Sequence, residues 1–355
     1  MKSRLVDYLR RERLNHVLAQ LSRLKIAVVG DIALDAYWYA DMRRALLSRE
    51  TPRFPRPIIR EVYSPGAGGN VAVNLKTLGV GRVIIFSVFG RDHWAALLQD
   101  VLSRAGIDTR EIVSAVERCT NVYIKPILLG YQSQQEDARL DFENASPLSD
   151  AYEVELLQRL ERHLPSLDAL LIADQFEVNG VITERVRLRL SSLAAAYPEK
   201  VFLVDSRQNI GQFDHCYLKP NQFEAEQAFE RISTESGNSA ADLPELGRRL
   251  SGHVQRPVFI TLGGKGALAC TTERQERIPA APVTPPLDPV GAGDAFQAAL
   301  SAALCAGASP WEAVAFANLA AAVTVEKLLQ TGAASPEEII QRYAIASKAA
   351  NDETV

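Results

Sequence analysis

Short apolar runs, each closed by a glycine or a polar residue, recur along the chain: KIAVVGD (25–31), ALLIAD (169–174), VFLVDS (201–206), CYLKPN (216–221) and PVFITLGG (257–264). Runs of this length without polar alternation read as strands covered on both faces, as in a parallel sheet. Between them lie stretches with helical spacing. HWAALLQDVLSRAGI (93–107) is one, with a glycine stop. Leu5, Tyr8, Leu9, Leu14, Val17, Leu18 and Leu21 carry the same spacing and predict an amphipathic helix over 1–22. A glycine cluster at 66–69 opens a helix over 70–78, and a strand follows over 82–88. The alternation predicts an α/β fold with a central, mostly parallel sheet flanked by helices.

Two stretches break that rhythm. Residues 41–62 are rich in Arg and Pro, with prolines at 52, 55 and 57, and read as extended edge segments. Residues 121–144 alternate like a hairpin, VYIKPILL then ARLDFE. Together they predict a small β lid inserted at about 41–62 and 119–143 into one domain spanning 1–355.

Composition narrows the class. A net charge of -4 gives no reason to expect nucleic acid or an acidic membrane as partner. The four cysteines show no CxxC spacing, so the expectation is reduced thiols in a cytoplasmic protein. The first 25 residues are charged throughout, unlike a signal peptide, and no apolar run approaches the ~20 residues that span a bilayer.

The chemistry concentrates in LDPVGAGDAFQAALSAALCAG (287–307). Gly291, Ala292 and Gly293 form a turn opening onto a helix, where unpaired N–H groups and the helix dipole favour an anion. Asp294 sits inside that anion site. A carboxylate belongs there if it takes a proton beside developing negative charge, and an Asp at a helix N-terminus is the ordinary alternative. Asn221 and Glu224 lie three apart in a first helical turn, either as a capping box or as holders of a hydrated Mg²⁺ and a phosphate. Gly263, Lys265 and Gly266 form a glycine turn without P-loop spacing, able to hold phosphate or simply to reverse the chain. Asp31 and Asp35 follow the first strand, and Asp174 ends another, where open sheets gather ligands. Gly68 and Gly69 allow a ligand close to the backbone where Asn70 begins a helix, Asn70 also fitting a plain N-cap. Arg139 and Asp141 share one strand face and either reach the substrate or are surface charge.

Taken together, PGAGGNVAVNLKTLG, NQFE and DPVGAGDAF resemble the ribokinase family of PfkB-type carbohydrate kinases, from about Lys25 to Ser335. The resemblance implies a ribokinase-like domain with ATP and Mg²⁺ as cofactors. It implies Asp294 as catalytic base, with Gly291, Ala292 and Gly293 as the anion hole. Asn221 and Glu224 would organise phosphate and Mg²⁺, Glu224 through water. Thr261, Gly263 and Gly266 would line the nucleotide, and Asn318 the adenine. Asp35, Gly69 and Asn70 would hold sugar hydroxyls. A monovalent cation, K⁺, would sit near Asp288, and the lid would form a homodimer interface.

GDIALDAYWY, LSRETP, ARLDFEN and VEKLLQTGAASP (325–336) are most similar to the D-glycero-β-D-manno-heptose-7-phosphate kinase domain. The turn DQFEVNG replaces that subgroup's shorter D-Y-x-K-G and lacks its lysine; GAGGN and the basic RFPRP segment also differ. A length of 355 residues leaves no room for the nucleotidyltransferase domain often fused to that kinase. The implied activity is transfer of the γ-phosphate of ATP to a hydroxyl of a sugar or sugar phosphate. The lid arginines (Arg43, Arg44, Arg49, Arg53, Arg56 and Arg139) fit a phosphorylated acceptor, or a solvated basic face. The alternatives are a non-catalytic binder on the same fold, or a nucleoside kinase using Tyr37, Trp38 and Tyr39 as a stacking wall.

Overall fold

The computed structural model describes residues 4–233, 242–328 and 332–352. Leu5–Tyr8 (α1) and Arg11–Gln20 (α2) precede Lys25–Gly30 (β1), Ile32–Asp41 (β2) and Ile58–Ala67 (β3). Gly68–Thr77 (α3), Arg82–Phe86 (β4), Val88–Gly90 (β5), His93–Arg104 (α4) and Val113–Ala115 (β6) follow. Next come Val122–Leu129 (β7), Gln134–Glu136 (β8), Leu140–Phe142 (β9), Asp150–His163 (α5), Ala169–Asp174 (β10) and Glu184–Ala196 (α6). Val201–Ser206 (β11), Tyr217–Leu218 (β12), Gln222–Ser233 (α7), Leu243–Val254 (α8) and Val258–Thr261 (β13) continue the alternation. Ala267–Cys270 (β14), Gln275–Ile278 (β15), Ala292–Cys305 (α9), Pro310–Val325 (α10) and Pro336–Asp352 (α11) complete it.

The main sheet has eight strands in the order β15-β14-β13-β12-β11-β10-β1-β4. The pairs from β4 to β13 are parallel, and β14 and β15 run antiparallel. Strand periodicity divides each run between two cores. Ile26, Val28, Leu171 and Leu203 pack with Leu300 and Phe316 on one face. Ala27, Val29, Ile172 and Val204 pack with Leu156, Leu190 and Leu250 on the other. Both faces are covered, so the strands show no polar alternation.

The lid is a second sheet, with β2 antiparallel to β3 and parallel to β7. It begins at Ile32, one residue after the main sheet, rather than near 41. Asp35 therefore lies on a lid strand and not in the loop that ends β1. The 121–144 stretch is also more than one hairpin, because β8 and β9 both pair antiparallel with β7. The amphipathic N-terminal segment breaks at Leu9 and Arg10, and buried Leu9 anchors the break. No helix among the described residues is long and apolar enough to cross a membrane. In VEKLLQTGAASP, residues 329–331 lie outside the described residues.

Candidate active site

The site is built on the N-terminus of α9. Gly291 takes the left-handed conformation there, at φ +79°, which glycine adopts without a Cβ penalty. The Ala-rich helix that follows lies close against α3 and α10. Asp294, in its first turn, accepts a hydrogen bond from Asn70 Nδ2 at 2.6 Å. Asn70 is itself held, because Asn74 Nδ2 donates to its backbone carbonyl at 2.9 Å and its side-chain oxygen at 3.3 Å. The Ala292 N–H already donates to Pro289 O at 3.2 Å. Of the three peptide groups expected to receive an anion, those of Gly291 and Gly293 have no such backbone partner among the described residues.

Desolvation within these walls pushes the Asp294 carboxyl up to about 6. The Asn70 hydrogen bond and Lys219 pull it down, while Asp205 and Asp35 push it up. If Asp294 is the base, as the sequence resemblance implies, its deprotonated form is the active one and activity should fall as pH drops through about 6. Asn70→Ala removes a stabiliser of the carboxylate, and the acidic limb of the pH–kcat profile should move upward. A limb that stays in place would detach Asn70 from the base.

On one side of Asp294 lies a cavity of about 310 Å³, lined by Thr261, Gly263, Gly266, Ala292, Gly293, Phe296 and Asn318 among others. Gly266 cannot be replaced without rearrangement, since a Cβ there would stand 2.1 Å from Ile278 O. Asn318 donates its amide to Pro279 O at 3.0 Å and lines the same cavity. Lys265 is exposed on the turn and does not line it.

Asn221 and Glu224 form a reciprocal capping box at the start of α7. Asn221 N donates to Glu224 Oε2 at 2.8 Å, and Glu224 N donates to Asn221 Oδ1 at 2.9 Å. The capping geometry is thus present, and it also fixes the Glu224 carboxylate near Asp205. Burial raises the Glu224 pKa first; Asp205 adds to the rise, and Lys219 and Arg207 oppose it. Lys219 and Asp205, 5% and 8% exposed, form a buried ion pair at 3.0 Å. Neither stands out in the sequence.

On the other side, beneath the lid, are two adjoining cavities of about 170 and 250 Å³. They share Tyr123, Arg139, Gln175, Phe176 and Arg207. The smaller reaches Asp35 and Lys125, which pair at 3.3 Å; the larger extends to Asn121, Glu143 and Glu177. Asp141 stands back from both, bound to Arg139 by two hydrogen bonds of 2.6 and 2.7 Å. Asp174 also faces away, its buried carboxylate accepting from Ser206 Oγ at 2.5 Å and Asn209 Nδ2 at 3.1 Å. Gly68 and Gly69 are packing positions, where a Cβ would meet Ala173 and Pro65, each at 2.8 Å.

Only Arg139 of the six lid arginines lines this chamber. Arg43 pairs with Asp41 and Arg56 with Asp137, while Arg44, Arg49 and Arg53 are exposed. The cations that sequence reading missed are Lys125 and Arg207. The aromatic wall likewise comes from Tyr123 and Phe176, whose rings meet edge to face at 6.4 Å. Tyr37 and Tyr39 line a separate cavity of about 240 Å³ with Asp288, whose Oδ1 accepts the Val290 N–H at 3.0 Å.

The first cavity reaches the head of α9 at Ala292 and Gly293, and Asp35, which lines the chamber under the lid, acts electrostatically on Asp294. The family model for pfkB family carbohydrate kinases matches residues 24–338, and the chain belongs to that family. The family's members are phosphotransferases with an alcohol group as acceptor. Among its relatives is the bifunctional protein HldE of Trichlorobacter lovleyi, 30% identical over 332 residues, covering 93% of this chain and 65% of the relative. HldE of Methylococcus capsulatus is 32% identical over 332 residues, covering 91% and 64%. The chain thus spans less than two thirds of these relatives. The ribokinase structure from Thermotoga maritima aligns with a TM-score of 0.64 at 22% identity, covering 90% of this chain and 99% of the other. Phosphofructokinase-2 from Escherichia coli in complex with potassium aligns at 0.68 and 19%, covering 91% and 99%. These likenesses show the ribokinase-like fold.

Proposed function

We propose that this protein transfers the γ-phosphoryl group of ATP to a hydroxyl of a phosphorylated sugar. The observation that carries the reading is Asp294, held by Asn70 between the 310 Å³ cavity and the chamber under the lid. ATP occupies the first, with its base beside Asn318 and its phosphates toward Gly263, Gly266 and Gly293. The acceptor lies in the second, its hydroxyls toward Asp35. Asp294 takes the hydroxyl proton as the oxygen attacks the γ-phosphorus, and the bond to the β,γ-bridging oxygen breaks to release ADP. The free N–H groups at the head of α9 hold the charge on the moving group.

Glu224, with Asp205 close behind it, suits an octahedral Mg²⁺ that arrives on the nucleotide and keeps most of its waters. That ion would neutralise phosphate charge. Asp288 is the carboxylate offered to a monovalent cation, a role favoured by the potassium complex of phosphofructokinase-2. The exposed lid residues Leu46, Leu47, Phe54, Ile59 and Val62 favour a homodimer through the lid. A cytoplasmic location follows from a cofactor set of this kind.

Arg207 and Arg139 favour an acceptor that already carries phosphate, as does the sequence resemblance to heptose-7-phosphate kinases. Arg139 is partly neutralised by Asp141. Arg207 lines both cavities, and among the described residues its guanidinium has no hydrogen-bonded or ion-paired partner. A charged hydrogen bond contributes about 1.5–3 kcal/mol. Arg207→Ala should therefore raise KM for the phosphorylated acceptor about 10- to 100-fold and leave KM for an uncharged sugar unchanged. Equal losses for both would remove phosphate from that subsite.

The direct test is an ADP-coupled assay over heptose 7-phosphate, fructose phosphates, ribose and adenosine. Turnover confined to sugar phosphates is the expected result. Tight ATP binding with no turnover on any acceptor would favour a non-catalytic binder instead, and adenosine as best acceptor would favour a nucleoside kinase.

A further inference from the structure

The turn after β10, residues 175–181, supplies Gln175, Phe176, Glu177 and Val178 to the acceptor chamber, yet it has no regular structure. Asp31, the single residue between β1 and the lid strand β2, lies directly beneath it. Its carboxylate is 0% exposed and accepts three backbone N–H groups of the turn. Gln175 N and Phe176 N donate to Oδ2, each at 2.8 Å, and Val181 N donates to Oδ1 at 2.7 Å. A Cβ on Gly180 would stand 3.0 Å from Oδ1, so the turn folds closely over the acid.

The far side of the turn is tied to the lid. Arg118 donates to Asn179 O at 2.6 Å, and Asn179 Nδ2 donates to Asn144 O at 2.8 Å. Asn144 Nδ2 in turn donates at 2.8 Å to the side-chain oxygen of Asn121, which lines the chamber. Phe176 thereby meets Tyr123 edge to face, and the Arg139 guanidinium lies over the Tyr123 ring at 4.7 Å from its centre.

We propose that Asp31 is a positioning residue for the acceptor: by fastening the turn 175–181 it sets Gln175 and Phe176 against Tyr123 and so determines which acceptor the chamber admits. Asp31 does not itself line the chamber. Without it, three amides in a protein-enclosed place lose their partner, which favours a different path for the turn. Asparagine preserves the volume but offers one acceptor oxygen and turns an NH₂ group toward donors. Burial pushes the Asp31 carboxyl up to about 7 against the pull of the three amides. The charged groups facing it are Arg118 and Asp174.

The inference rests on the kinase reading above, and the test separates the two. Asp31→Asn should raise KM for heptose 7-phosphate, or for the fastest sugar phosphate of the panel, about tenfold or more. KM for ATP, and kcat at saturating acceptor, should stay within about threefold. Independently of activity, amide hydrogen exchange at Gln175, Phe176 and Val181 should accelerate about tenfold or more while β1 and β10 keep their protection. Leu14→Ala, a cavity under α2 in the core on the other face of the sheet from Val181, is the control for stability loss and should leave the acceptor KM unchanged. Parallel loss of ATP and acceptor affinity, an equal acceptor shift in Leu14→Ala, or unchanged exchange in the turn would each overturn the proposal. A wild type that phosphorylates nothing would remove the kinase reading, and with it the acceptor role of Asp31. The exchange result would then still show separately whether Asp31 holds the turn.

Discussion

Asp294→Asn should reduce kcat by about 10²- to 10⁴-fold, the contribution of a positioned base, while ATP binds as before. Asparagine has the shape of aspartate and can still meet Asn70, so the walls of the site persist. It cannot accept the hydroxyl proton. ADP release followed by a coupled assay, with nucleotide affinity from calorimetry, separates the two effects. Unchanged turnover would mean that the carboxylate at the helix head only caps α9. Loss of nucleotide binding together with turnover would mean that the substitution disturbed the turn rather than the chemistry.

Lys219→Met should destabilise the fold by about 3–5 kcal/mol, because it leaves Asp205 buried without its counter-charge. The pair lies under the cleft, where neither group regains water on losing the other. Adding Asp205→Leu to Lys219→Met should recover much of that loss, since an apolar pair of similar volume replaces the buried charges. Urea unfolding of the two variants checks this, and a single variant as stable as wild type would show that water reaches the pair. The double variant should remain poor in catalysis, because Lys219 and Asp205 also set the charge around Asp294 and Glu224.

The parallel strands were legible because burial on both faces leaves unbroken apolar runs. The glycine turn before Asp294 was legible because both its glycines and its helix are local features. The start of the lid was not. IALDAYWYAD follows KIAVVGD with no proline or polar stretch between, since passing from one sheet to the other takes only Asp31. Lys125, Arg207 and Lys219 were missed for another reason. Each is one cation near a strand, and only the meeting of β7, β11 and the segment after β12 turns them into site residues. Asp141 and Asp174 show the converse: acids well placed along the chain whose partners, Arg139 and Ser206, draw them away from the cavities. The capping box at Asn221 and Glu224 was readable in geometry and remains compatible with a second duty.

The strand β12 is two residues long in the middle of an eight-stranded sheet. Beyond Leu218 the chain meets its neighbours through Lys219 N to Val204 O and Thr261 N to Pro220 O, each 2.9 Å, and through one isolated bridge of Asn221 with Thr261. Through that gap Lys219 reaches Asp205, and Asn221 begins α7 beside them. The chain's tolerance of length change is therefore uneven. Residues 45–57 are largely exposed, and lengthening them should have little effect on the site beneath the lid. One residue inserted between Leu218 and Asn221 would shift Lys219, Asn221 and Glu224 out of step with Asp205 and Asp294 together.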